Sequence, residues 1–236
     1  MILKSSTSKI KVLCLACLLG VLTACAATDG SVNNPLMRKF QWFSYVEGGD
    51  FRNACVPDRY RMIYNAVYTE QVRIYDVTTT TGELRTRIIN TTNVKDLENV
   101  EKWQKMWDPW RGTIKSTTLS DTDLNDLVDD LERSGAFGPP NVGEELSSKG
   151  FYWTIASCHN GQYHFTAVAW PSEKWADLSF VERLFALDST GLAVNEPRKT
   201  KTSRRFGKTQ LPGGHAQPEF HLKVGENGLA GVGSLF

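Results

Sequence analysis

The chain has 236 residues, 41% hydrophobic and 22% charged, with 27 Lys and Arg against 26 Asp and Glu. So even a balance leaves no electrostatic case for binding nucleic acid, whose affinity rests on neutralised phosphates. Seven Trp, seven Tyr and eleven Phe are ample for a packed core.

Lys4, Lys9 and Lys11 precede the uncharged run Val12 to Leu22. A spanning helix needs about 20 apolar residues, so this run is too short to cross a bilayer. A basic start, a short apolar run and small residues after it read as a secretory signal. The sequence Leu22-Thr23-Ala24-Cys25 closely resembles the bacterial lipobox. That resemblance implies acylation of the Cys25 thiol, cleavage before Cys25, and a chain held in membrane lipid at its new first residue. Stable anchoring follows from two or more acyl chains. Ala26 in place of an acidic residue favours the outer membrane in a host with two membranes. The expected boundaries are a signal at 1–24, a polar tether at 25–38, a globular domain at 39–194 and a basic, Gly-rich extension at 195–236.

Loss of residues 1–24 removes three lysines, lowering Lys plus Arg from 27 to 24 against 26 acids, a formal charge of −2. Cys14 and Cys17 leave with the signal. Beyond the anchor only Cys55 and Cys158 remain. In an oxidising compartment such a pair reads as a disulfide.

Residues 59–77 are rich in Tyr, Val and Ile, with Val72 and Ile74 alternating with Arg73 and Tyr75. The turn-like "TTTTG" at 78–82 then predicts a hairpin with "ELRTRIINTT". Residues 94–107 have helical spacing, with Trp103 and Trp107 four apart and Pro109 closing the run. Residues 119–135 predict the clearest helix. Ser120 is the N-cap, Leu124, Leu127, Val128 and Leu131 form the apolar stripe, and Gly135 takes the C′ position. Residues 151–170 predict a hairpin about Asn160-Gly161, a dipeptide that favours a type I′ turn. Residues 177–187 predict a last helix with Leu178, Val181, Leu184 and Phe185 inward. The fold class is therefore α+β: an antiparallel sheet of hairpins packed with about three helices, preceded by the signal and followed by a flexible tail.

Several chemical patterns compete with plain structure. Asp121, Asp123, Asn125, Asp129 and Glu132 have calcium-loop spacing and resemble an EF-hand. However, Asp126 stands where the loop turn needs Gly, and the leucine stripe demands a helix instead. Cys158, His159 and His164 flank a hairpin turn without the spacing of a closed zinc site. Trp103, Trp107 and Trp110 would stack on sugars if exposed, but their spacing fits a core. No metal or other cofactor is expected.

The order of elements over residues 71–188 is similar to that of emfourin-type inhibitors of metalloproteases. The shared features are a hairpin, the "LSDTDLNDLVDDLERSGAFGPP" helix and the "GFYWTIASCHNGQYHFTAVAWP" hairpin. Three functions follow as expectations. The leading one is a non-enzymatic binding or structural module in the cell envelope, facing the periplasm, with membrane lipid as one partner and an envelope protein or polymer as another. The second is a protease-inhibitor-like domain. The third is an envelope hydrolase or thiol enzyme using Cys158 or His159, which the lack of a convergent acid–base set disfavours.

Overall fold

Alternation of large apolar side chains along residues 59–90 and 151–170 builds strands that bury both faces. The computed structural model describes residues 42–90, 112–200 and 220–234. The expected signal, Cys25, the helix at 94–107 with Trp103 and Trp107, Trp110 and His215 lie outside the described residues.

Strands β1 (Arg59–Ala66), β2 (Gln71–Thr78), β3 (Glu83–Asn90), β4 (Thr113–Thr118), β6 (Phe151–His159) and β7 (Gln162–Trp170) form one sheet. Its order is β4-β3-β2-β1-β6-β7, with every neighbouring pair antiparallel. The fold is mixed α and β, as the pattern predicts. The run at 59–77 holds the two strands β1 and most of β2, and between them Val67 takes a positive φ of 61° where the chain turns back. Asn160 and Gly161 both take positive φ, 51° and 74°, as a type I′ turn requires.

One sheet face carries Tyr60, Met62, Tyr64, Tyr75, Leu84, Trp153 and Ile155, all at most 1% exposed. Helix α2 (Asp121–Arg133) covers it with Leu127 and Leu131, and helix α4 (Phe180–Ala186) with Phe180 and Leu184. Each such side chain contributes about 1.5–3 kcal/mol on leaving water. The Ser120 hydroxyl accepts from the Asp123 amide at 3.1 Å, and Gly135 has φ 76°. The acidic segment is therefore the capped helix, not a calcium loop. The last helix begins at Phe180 rather than at Asp177, after the single turn α3 (Glu173–Ala176). No helix among the described residues is long and apolar enough to cross a membrane.

The opposite face carries Ile63, Ile74, Tyr152, Thr154, Ala156 and Phe165. The helical residues 42–46 and helix α1 (Gly49–Asn53) supply buried Trp42, Val46 and Phe51. A Cβ on Gly48 would stand 2.6 Å from Ala156 Cβ, so glycine allows this close approach. A second sheet joins β5 (Glu145–Ser147), β8 (Phe220–Gly225) and β9 (Gly228–Ser234) in the order β5-β8-β9. Part of the expected flexible tail is thus paired strand. Phe220, Leu222 and Val224 alternate inward, giving residues 220–225 an apolar face to bury.

Polar side chains cap the outer edge of β7. The Asn141 amide donates to the Ala167 carbonyl, its oxygen accepts from the Ala167 N–H at 3.1 Å, and Glu144 accepts from the Ala169 N–H at 3.2 Å. Side chains thereby occupy backbone groups that would otherwise template a foreign strand.

Cys55 and Cys158 are joined by a disulfide, with Cα atoms 5.2 Å apart and a sequence separation of 103. It ties the segment after α1 to β6 inside the sheet. Replacing both cysteines by alanine is expected to lower stability by about 2–5 kcal/mol, the usual loss for a native disulfide. Urea unfolding of the variant against the parent chain measures it.

Candidate functional site

Charged and polar residues recur with period two on one face of three neighbouring strands: Arg59 and Arg61 on β1, Asp76 and Thr78 on β2, Glu83 and Arg85 on β3. Register places them in two rows. Arg59 lies opposite Thr78, which lies opposite Glu83, and Arg61 lies opposite Asp76, which lies opposite Arg85. With Asp50 and Phe51 of α1 they line a pocket of about 240 Å³.

Arg61 is the buried centre of this array, its side chain 7% exposed. Its Nε donates to Asp76 Oδ1 at 2.6 Å, and its terminal nitrogens donate to both Asp50 carboxylate oxygens at 2.9 and 3.3 Å and to the Tyr45 carbonyl at 3.0 Å. The guanidinium carbon stands 3.6 Å from the Tyr45 ring centroid and 4.7 Å from that of Phe51. Burial disfavours its charge, but Asp76, Tyr45 and Asp50 outweigh that and hold its pKa above the ordinary arginine value. The Tyr45 hydroxyl donates to Asp76 at 2.8 Å, and burial together with that carboxylate keeps it protonated well beyond the usual tyrosine range.

The second arginine is less completely held. Arg59 donates to the carbonyls of Asp50 and Ala54 at 2.9 and 2.8 Å and lies 4.4 Å over the Phe51 ring. Its Nε is buried without a hydrogen-bond acceptor. Arg85 is exposed and makes no hydrogen bond or ion pair among the described residues. Among the described residues the Glu83 carboxylate accepts only from the Ser116 hydroxyl, at 2.7 Å, through one oxygen. Three guanidinium groups and three carboxylates therefore line one cavity, with the β1 pair committed and the β3 pair open. Such a lining offers ionic and hydrogen-bonded recognition.

The residues singled out from sequence lie elsewhere. Cys55 and Cys158 are consumed in their disulfide. His159 stacks on Phe137 with centroids 4.0 Å apart, shares a 3.0 Å hydrogen bond with the Tyr60 hydroxyl, and stands 3.5 Å from Asp58. His164 also meets Phe137, tilted, with ring centroids 6.1 Å apart. These groups form an aromatic wall at the hairpin end, separate from the pocket lining. Trp153 is core, fully buried against Tyr64 and Phe180. The pocket residues were missed because Arg-x-Arg and Glu-x-Arg on strands read as solvated faces. The available signal was their period of two within runs otherwise built for burial.

No family model, curated protein or solved structure matches this chain.

Replacing Arg61 by methionine strands Asp76 and Asp50. The expected loss is about 3 kcal/mol, the low end for breaking a buried pair because Asp50 is half exposed. Urea unfolding measures it, and the change should exceed that of Arg85→Gln, which breaks no contact. A second expectation concerns acid. Burial, aided by His159, lowers the His164 pKa below 6.5. The unfolded chain then binds the proton more readily, so the contribution is present above about pH 6.5 and is lost as pH falls through the lowered value. The thermal midpoint should therefore drop between pH 7.5 and pH 5, and His164→Gln should narrow that drop.

Proposed function

We propose that the chain is a lipid-anchored protein of the bacterial cell envelope, facing the periplasm, that acts by binding rather than by thiol chemistry. The Cys55–Cys158 disulfide carries this reading. It fits an oxidising compartment, which is the compartment the Leu22-Thr23-Ala24-Cys25 signal addresses. It also occupies both thiols that remain after Cys25, so neither is a free nucleophile. The charge-lined pocket supports recognition of a ligand or an envelope partner. Membrane lipid, through acylated Cys25, is the first partner, and Ala26 favours the outer membrane in a host with two membranes.

The test is metabolic labelling with a palmitate analogue in bacterial cells, followed by carbonate washing of membranes. The parent chain should carry label and stay with the membrane pellet. Cys25→Ser should lose the label and accumulate with its first 24 residues uncleaved. Equal labelling of the two chains would overturn the proposed address.

A further inference from the structure

The pocket beneath α1 holds unspent charge on one strand. On β3, Glu83 and Arg85 stand two residues apart on the same face, roughly 7 Å apart along the strand. They are not paired with each other. Across β2, Arg59 is committed to the carbonyls of Asp50 and Ala54, and its Nε is buried away from the cavity. The β1 arginines add no free donor, since Arg61 likewise spends itself on Asp50, Asp76 and the Tyr45 carbonyl.

The sum of the lining matters as much as its loose ends. Three arginines against three carboxylates make it neutral as a whole. A net anion would meet Asp50, Asp76 and Glu83 as well as the arginines, and a net cation would meet Arg59, Arg61 and Arg85. Like charges brought close in a partly desolvated site are costly. A ligand carrying both signs uses the open groups without opposing the rest. The volume, about 240 Å³, lies below that of sites for drug-sized molecules and suits something of amino-acid size.

We infer that this pocket binds the zwitterionic end of an α-amino acid, its carboxylate held by Arg85 and its ammonium by Glu83. The inference rests on the binding role proposed above and gives that role a ligand class. The same chemistry is presented by a free amino acid and by a peptide ending in an α-amino acid side branch.

Isothermal titration on the full chain in detergent tests it with four probes. L-alanine is the free zwitterion. γ-L-glutamylglycine carries the zwitterion at a peptide end. L-alaninamide has the ammonium alone and N-acetyl-L-alanine the carboxylate alone. At least one zwitterion should bind saturably at or below about 1 mM, with both single-charge analogues weaker by about tenfold or more. Arg85→Gln and Glu83→Gln should each weaken that binding by about tenfold or more while leaving the unfolding midpoint unchanged, since neither side chain is paired with another charge. Tighter binding of γ-L-glutamylglycine than of L-alanine identifies a peptide end as the source, and the reverse order a free amino acid. Binding of N-acetyl-L-alanine equal to that of L-alanine overturns the inference in favour of a simple anion site. No saturable binding by either zwitterion, or parent affinity in both variants, also overturns it. Acylation of Cys25 is read by a separate label, so the address and the ligand class stand or fall independently.

Discussion

The inner strands β1, β2 and β6 are buried on both faces, so a charged side chain deep on them must find its partner within the protein. The two most deeply placed cations show how this is met. Arg61 faces α1 and is held by Asp50, Asp76 and the Tyr45 carbonyl. Arg73 faces the other way, beside Tyr75, and donates to Asp188 at 2.6 Å and to the carbonyls of Leu192 and Ala193 at 2.6 and 2.7 Å. Each arginine draws a covering segment onto the sheet: the helical N-terminal part on one face and residues 188–195 on the other. An uncompensated guanidinium at either place would cost several kcal/mol. The partners thus fix where those segments lie, and the pocket exists because the first of them does not reach across β3.

The elements legible from sequence were those whose signals are local. Ser120, the leucine stripe and Gly135 lie within sixteen residues of one another and together specify α2, which is why its calcium-loop spacing proved a coincidence of acidic residues on a helix surface. Asn160-Gly161 set the β6–β7 turn in the same way. The misreadings share a cause in long-range pairing. Strand β8 is completed by β5, some 75 residues earlier, and nothing near Phe220 announces that partner. Its Gly-rich surroundings looked like a tail. The alternation of Val72 and Ile74 with Arg73 and Tyr75 separates the two faces but does not announce that residues 188–195 cover Arg73.

The pocket was illegible for a related reason. Charge on a strand is ordinarily a sign of solvent, and period two alone does not say whether a second layer covers that face. Arg59, Arg61, Asp76 and Arg85 acquire meaning only when register aligns three strands and α1 closes one side. Cys55 and Cys158 were easier, because in the proposed compartment two remaining cysteines have one simple partner choice.

The disulfide has a mechanical side. Strand β6, which carries Cys158, is hydrogen-bonded to β1 and to β7. In a chain tethered to a membrane ahead of residue 42, a pull on the tether would first peel residues 42–54 from the sheet. At Cys55 the load would pass through a covalent bond into the interior of the sheet, where strands resist together rather than unzipping one after another. The segment that walls the pocket would then be the part that yields, and the sheet the part that holds.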